Sequence, residues 1–229
     1  MEAGTSGVRH IIWDWNGTLL DDTALTVRSA MAALDAIGQP KNLTVDMWRQ
    51  ISTRPLRDIY TRLVGAPLHA DQWQVLESVW LDTYLAGLSE VDLNPMTRQA
   101  LDEAASAGMT QSIVSLHVES ELRANVEAMG IAHFFTHISG SRRIGNVERP
   151  PKSAEVRSQL ADLEVDPHEA LMIGDMEDDA READDAGVRV VLVPTGDTSR
   201  ERLIASGYPV ADSLIDAVRL IRHWRHPRA

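Results

Sequence analysis

Four separated segments of the sequence carry side chains that could act on a phosphoryl group. In the first, the apolar run Ile11–Trp13 ends at Asp14 and leads into the small polar turn Asn16-Gly17-Thr18. A carboxylate at the end of a buried strand, beside a glycine turn with free backbone N–H groups, can act as a nucleophile toward phosphorus. The alternative is that Asp14 only caps a turn.

The second and third segments could contact the same group. Ser115 follows the apolar pair Ile113-Val114, so its hydroxyl could donate a hydrogen bond to a phosphoryl oxygen, although serines commonly end strands. Lys152 begins a helical pattern, and its ammonium could reach back to the phosphoryl group as a point charge. The alternative is a solvated lysine, although a lysine at a helix start opposes the helix dipole.

The fourth segment could bind a metal ion. An apolar run ends at Gly174-Asp175, and Glu177, Asp178 and Asp179 follow. Carboxylate oxygens with room for water suit Mg²⁺, which typically takes one or two carboxylates together with substrate phosphate. The alternative is an acidic first turn that the helix dipole favours, which explains Glu177 and Asp178 but not the position of Asp175 directly after a strand.

Short apolar runs that alternate with helical patterns must position these side chains. This alternation predicts an α/β fold with a Rossmann-like parallel sheet, in which ligands bind at the carboxyl ends of the strands. We expect helices at about 96–107, 118–129, 152–163 and 178–186. We expect strands at about 8–15, 110–115, 134–138, 170–173 and 188–193.

Residues 22–93 contain helical patterns without an intervening strand pattern. The predicted helices lie at about 22–38, 44–52, 55–64 and 70–87, with breaks at Arg54-Pro55 and at Gly65 to Pro67. The sequence therefore predicts two units: an α/β core domain made of residues 1–21 and 94–229, and an inserted helical domain made of residues 22–93.

The composition excludes several classes of site and partner. The 229 residues carry a formal net charge of −12, which argues against nucleic acid as a partner. There is no cysteine, so disulfides and zinc–thiolate sites are excluded. No apolar run approaches the length of a membrane span, and the start of the sequence lacks the pattern of a signal peptide. We therefore expect a cytoplasmic protein with no membrane partner; the sequence does not indicate its oligomeric state.

In their order and spacing, the four segments resemble the four motifs of the haloacid dehalogenase (HAD) superfamily. The stretches Leu19–Asp22 and Asp179–Val188 resemble further family segments, and the likeness runs from about residue 9 to residue 215. The phosphoglycolate-phosphatase-like subgroup is the most similar. The resemblance implies a helical cap at residues 22–93 and a Mg²⁺-dependent phosphatase. Such an enzyme hydrolyses a small phosphorylated metabolite through an aspartyl-phosphate intermediate.

The resemblance also implies roles for single residues. Asp14 would be the nucleophile and a Mg²⁺ ligand, together with the backbone carbonyl of Asn16, with Asp175 and with Asp179. The groups that would hold the phosphoryl group are Thr18, Ser115, the catalytic Lys152 and the backbone N–H groups of Trp15, Asn16 and Gly17. In the cap, Arg54 and Arg57 could face an anionic substrate group or be solvated, whereas Trp48, Trp73 and Trp80 are expected in the cap core.

Asn16 departs from the family pattern, which is usually Asp-x-Asp-Gly-Thr. In the family's phosphatases this second aspartate protonates the leaving alkoxide and then activates water, and such assistance is worth about 10²–10⁴-fold. An amide can do neither at neutral pH. Three outcomes stay open: another group or a water carries the proton, the substrate has a good leaving group, or the chain is a slow or non-catalytic phosphate-binding protein. A dehalogenase is less favoured, because Asp175 and Asp179 are present.

Overall fold

A parallel five-stranded sheet forms the centre of the protein in the computed structural model, which describes residues 7–141 and 152–223. The strand order is β3-β2-β1-β4-β5, so the predicted α/β class with a parallel sheet is confirmed. The strands are β1 (His10–Trp13), β2 (Thr110–Val118), β3 (His137–Ser141), β4 (Ala170–Gly174) and β5 (Arg189–Leu192).

The order in which strands are added to the sheet reverses at β1, and this brings the candidate residues together. The chain runs from β1 outward to β2 and β3 and then returns to place β4 on the other side of β1. Asp14 therefore follows β1, and Asp175 follows the neighbouring strand β4, at the same carboxyl edge. Open parallel sheets bind ligands at such a switch point.

The first four of the five α-helices between β1 and β2 lie in the region predicted to be an all-helical insertion. They are α1 (Thr23–Ala36), α2 (Val45–Ile51), α3 (Leu56–Val64) and α4 (Ala70–Gly87). Their buried side chains, among them Leu34, Trp48, Ile59 and Leu76, form an apolar cluster separate from those of the sheet. The insertion therefore has an apolar core of its own. The domain boundaries at residues 22 and 93 stay predictions.

The remaining helices cover both faces of the sheet. They are α5 (Thr97–Ser106), α6 (Glu119–Ala128), α7 (Lys152–Asp162), α8 (Glu177–Ala186), α9 (Arg200–Ala205) and α10 (Leu214–His223). Successive strand residues point to opposite faces, so Ile11 belongs to one core cluster and Ile12 to the other. Burying an aliphatic side chain of this kind contributes roughly 1.5–3 kcal/mol, which explains why β1 is apolar throughout its centre.

The structure differs from the sequence prediction in the third strand and in the last third of the chain. A 3-10 turn occupies Ala132–Phe134, and β3 begins only at His137, because Phe134 and Phe135 pack sideways against the core cluster. No prediction covered α9 and α10. None of the described helices is both long and apolar enough to cross a membrane. The expectation that the first residues are not a signal peptide concerns residues 1–6, which lie outside the described ranges.

Candidate active site at the carboxyl edge of the sheet

A buried lysine joins two of the predicted carboxylates. Lys152 begins α7, and its Nζ donates to Asp14 Oδ1 at 2.5 Å and to Asp179 Oδ1 at 2.7 Å. Burial raises the pKa of Asp14 to about 6, because desolvation outweighs the attraction of Lys152. Burial alone would lower the pKa of Lys152, but Asp14 and Asp179 together raise it above its ordinary value. The ammonium is therefore a fixed positive charge beside Asp14.

Three carboxylates converge at the same place. Asp14, Asp175 and Asp179 are buried, and each offers an oxygen within 4.8 Å of the others. Burial, followed by the charges of Asp179 and Asp14, raises the pKa of Asp175 well above its usual range. Thr18 Oγ1 lies 3.3 Å from Asp14 Oδ2 and 3.1 Å from Asp175 Oδ1. Hard oxygen donors that crowd around a single ammonium fit a divalent cation, which would offset their mutual repulsion.

The turn after β1 has a backbone that only glycine fits easily. Gly17 has a φ of 73°, and a Cβ there would lie 2.7 Å from Asp175 Oδ2. The Trp15 side chain is fully buried in the core, so only the backbone of this residue can serve a ligand. The Gly17 N–H donates to Asp22 Oδ1 at 2.7 Å. The predicted contact between this N–H and the phosphoryl group would compete with that hydrogen bond.

The side chain of Asn16 is held by three neighbours. Its Nδ2 donates to Asp22 Oδ2 and to the Tyr84 hydroxyl oxygen, each at 2.8 Å. Ser115 Oγ lies 3.4 Å from Asn16 Oδ1 and accepts from the His117 N–H at 3.0 Å. Ser115 therefore lies beside the turn after β1. It lies within β2, three residues before the strand ends, and not at the end of the strand as predicted.

Arg54 lies between α2 and α3 and faces the site. Its charge lowers the pKa of Asp14, although desolvation by burial and the other neighbours have larger effects. Arg54 and Asn16 both line a cavity of about 350 Å³, here called the cap-side cavity, which the helical insertion forms with the sheet edge. Arg57 also lines this cavity, but its guanidinium lies over the Trp73 ring, 5.2 Å from the ring centroid.

Comparison with known proteins decides the family. Residues 11–193, more than half of the chain, match the sequence profile of the haloacid dehalogenase-like hydrolases. The chain belongs to this family. A phosphoglycolate phosphatase of Caulobacter vibrioides is 29% identical to this hydrolase over 192 residues, which cover 82% of this chain and 80% of that protein.

Two further matches agree with the family assignment. The pyrophosphatase PpaX of Bacillus velezensis is 26% identical over 197 residues, which cover 81% of this hydrolase and 83% of that protein. The crystal structure of a predicted phosphatase from Clostridium acetobutylicum has a TM-score of 0.80 at 19% identity, covering 95% of this hydrolase and 99% of that chain. At that identity the structural likeness shows the fold alone.

Sequence reasoning missed two residues of the hydrolase that hold Asn16. Asp22 precedes α1, where an aspartate usually caps the first turn. Its carboxylate makes no cap hydrogen bond in the described structure and turns to Asn16 and Gly17 instead. The Tyr84 hydroxyl donates to Asp22 Oδ2 at 2.6 Å. The Asp21-Asp22 pair was the available signal for Asp22, whereas Tyr84 lies in the middle of α4 and gave none.

Hydrogen bonds also close the helical insertion onto the sheet. Arg49 Nε donates to the Gly196 carbonyl at 2.8 Å, and the Ser199 N–H donates to the Arg49 carbonyl at 3.2 Å. Arg202 Nη1 donates to the carbonyl oxygens of Ser52 at 2.7 Å and Arg49 at 3.0 Å. These contacts join the end of α2 to the start of α9, and they hold the insertion over the site.

Proposed function

We propose that this hydrolase is a Mg²⁺-dependent phosphatase that acts on a small phosphorylated metabolite through an aspartyl-phosphate at Asp14. The observation that carries the proposal is the arrangement around Lys152, whose Nζ contacts Asp14 and Asp179 beside Asp175. The names of the relatives, a phosphoglycolate phosphatase and a pyrophosphatase, support phosphate release as the reaction.

In the first step a carboxylate oxygen of Asp14 attacks phosphorus, and the bond between phosphorus and the ester oxygen breaks. The ester oxygen leaves with the electron pair, and Asp14 becomes an acyl phosphate. In the second step water attacks this phosphorus, which releases inorganic phosphate and restores the carboxylate. The ammonium of Lys152, the Thr18 and Ser115 hydroxyls and the backbone N–H groups of residues 15–17 orient the phosphoryl oxygens and offset their charge.

The residues that would hold Mg²⁺ are Asp14, Asp175, Asp179 and the backbone carbonyl of Asn16. The ion would offset the repulsion between the nucleophilic carboxylate and the phosphoryl oxygens. Asp14 would thereby serve as both ligand and nucleophile. Because Asn16 carries no exchangeable acidic proton, residue 16 neither protonates the leaving oxygen nor activates water in this proposal.

The helical insertion would act as the cap. We infer a core domain of residues 1–21 and 94–229 and a cap of residues 22–93, with Arg54 reaching from the cap toward the substrate. Closure by the hydrogen bonds around Arg49 and Arg202 would exclude water from the first step. A cytoplasmic location and the absence of a nucleic-acid partner stay predictions from the composition.

Release of phosphate from p-nitrophenyl phosphate tests the proposal. We expect release with Mg²⁺, loss with a chelator, and loss in the variant Asp14→Asn, with thermal melting to show that the variant folds. An aryl leaving group needs little protonation, so zero release with Mg²⁺ would contradict the phosphatase and favour the second candidate, a phosphate-binding protein, which Asn16 suggests. Chelator-resistant release of halide from chloroacetate would instead indicate a dehalogenase.

A further inference from the structure

The cap-side cavity has the size of a ring-bearing ligand. Its volume of about 350 Å³ exceeds the roughly 150 Å³ of an apolar cavity that accepts benzene, and it lies within the about 300–1,000 Å³ typical of ligand sites. Asn16, which is two residues after Asp14, is one of the residues that line the cavity. A substrate with its phosphoryl group at Asp14 would therefore place its leaving group in this cavity.

Five aromatic residues contribute to the cavity lining: Trp48, Tyr60, Trp73, Trp80 and Tyr84. The rings of Trp80 and Tyr84 are stacked, with centroids 4.9 Å apart and planes at 9°. Tyr60 and Trp73 meet edge to face at 5.7 Å. Such rings favour a flat apolar guest through stacked and edge-to-face contacts, worth about 0.5–1.5 kcal/mol each beyond burial.

The charges in the lining disfavour an anionic leaving group. Asp22, Glu77, Glu121 and Asp197 line the cavity and would repel a carboxylate or a second phosphate. Two arginines line it as well, and the guanidinium of one of them, Arg57, lies over the Trp73 ring. Of the two arginines, Arg54 is thus the one whose charge acts near the nucleophile, in addition to that of Lys152, and it would face the phosphoryl group rather than the leaving group.

The absence of an acid at Asn16 also favours a leaving group with an aromatic ring. An alkoxide derived from an ordinary alcohol leaves poorly unless it is protonated, because its conjugate acid is about as weak as water. A phenol ionises near pH 10, so an aryl oxide can leave as the anion. The missing acid at residue 16 costs an aryl ester far less than an alkyl ester.

We propose that the substrate of this hydrolase is a phosphate monoester of an aromatic alcohol, whose ring occupies the cap-side cavity and whose oxygen leaves as an aryl oxide. The proposal rests on the phosphatase function proposed above. Asp14 takes the phosphoryl group while the aryl oxide keeps the electron pair of the broken bond and takes its proton from water.

Four esters separate ring binding from leaving-group reactivity. Phenyl and 1-naphthyl phosphate have both features, benzyl phosphate has a ring with an alkyl oxygen, and glycerol phosphate has neither. With Mg²⁺ we expect kcat/KM for the aryl esters to exceed that for glycerol phosphate by about 10²-fold or more. Benzyl phosphate should share the low KM of phenyl phosphate and the low kcat of glycerol phosphate.

A pair of variants on α4 shows whether the ring lies in the cavity. Ser78 lines the cavity, and Val75 is an exposed residue on the same helix outside the lining. Ser78→Trp should raise KM for the aryl esters about tenfold, whereas Val75→Trp should leave it unchanged.

The outcomes are distinct. If glycerol phosphate or phosphoglycolate is hydrolysed as efficiently as the aryl esters, the aromatic substrate is wrong while the phosphatase stands. An unchanged KM for aryl esters in a folded Ser78→Trp variant would also overturn it. If no ester releases phosphate, the phosphatase proposal fails, and the aromatic substrate fails with it.

Discussion

The two sides of the site differ in chemistry and in how each is built. On the sheet side, Asp14, Asp175, Asp179 and Lys152 follow strands or begin helices, and they form a charged, buried cluster. On the cap side, aromatic rings from α2, α3 and α4 enclose a mainly apolar cavity. In our proposal the first side performs the reaction, and the second selects what carries the phosphoryl group. Different parts of the chain would then determine the reaction and the substrate.

The largest effect should follow removal of the charge on the sheet side. Lys152→Met should lower kcat for p-nitrophenyl phosphate by about 10³-fold, because Asp14 and Asp179 then lose their shared ammonium. Lys41→Met is the matched control, since Lys41 is the chain's other lysine and is exposed. Both variants would be assayed for phosphate release. A loss of less than tenfold in folded Lys152→Met would show that the cluster does not carry the reaction.

The second effect should distinguish leaving groups. Asn16→Asp should raise kcat/KM for benzyl phosphate by about 10²-fold and change it little for phenyl phosphate, because kcat/KM reports the first step, in which general acid catalysis matters only for the poorer leaving group. The new carboxylate would lie next to Asp22, so the double change with Asp22→Asn should give the larger gain. Equal gains on both esters would show that the missing acid does not distinguish them.

A smaller effect should follow loosening of the contact between the two sides. Arg202→Met removes two hydrogen bonds to the carbonyl oxygens of Arg49 and Ser52, worth about 1–3 kcal/mol in total. We expect KM to rise severalfold for aryl and alkyl esters alike, because the closed cap would hold both kinds of substrate. Arg200→Met is the control, since Arg200 pairs with the exposed Asp212. An increase confined to aryl esters would argue that Arg202 shapes the cavity instead.

The smallest effect on activity concerns the scaffold that both sides share. His10 in β1 is fully buried between Thr110 and Ser112, and burial lowers its pKa from 6.5 to about 4. As the pH falls, the imidazole of His10 is protonated near pH 6.5 in the unfolded chain but only near pH 4 in the folded chain. Stability from this group is therefore complete above pH 6.5 and falls by about 3 kcal/mol as the pH drops to 4.

The variant His10→Gln isolates this contribution. Its free energy of unfolding should depend less on pH between 6.5 and 4 than that of the wild type, as measured by urea denaturation at several pH values. Both proteins share every other titrating group, so their difference reports His10 alone. Parallel pH profiles would contradict the assignment. Phosphate release near neutral pH should be similar in both proteins.

The sheet side could be predicted because its residues obey local rules. Asp14 and Asp175 each end an apolar strand pattern, Gly17 marks a turn, and Lys152 begins a helix, so parallel topology alone brings them to one edge. The fold class followed from the same alternation of strands and helices. The third strand was misplaced, because the packing of Phe134 and Phe135 against the core depends on tertiary contacts that periodicity does not record.

The cap side could not be predicted in the same way. Trp48 and Trp73 were expected in the cap core, and they are buried in its apolar cluster, yet both also line the cavity. A helical pattern does not show whether a ring facing inward meets another side chain or an open space. The hydrogen bonds of Asn16 with Asp22 and Tyr84 likewise depend on how α4 packs on α1. Asn16 and Tyr84 are 68 positions apart in the sequence.

A rapid acid quench of a single turnover with phenyl phosphate tests the account most directly. Because an aryl oxide leaves without help while Asn16 gives water no base, the acyl phosphate on Asp14 should accumulate. We predict a burst of phenol ahead of inorganic phosphate, and one phosphoryl group on the peptide that contains Asp14. Simultaneous release of phenol and phosphate, with that peptide unmodified at every time point, would contradict the account.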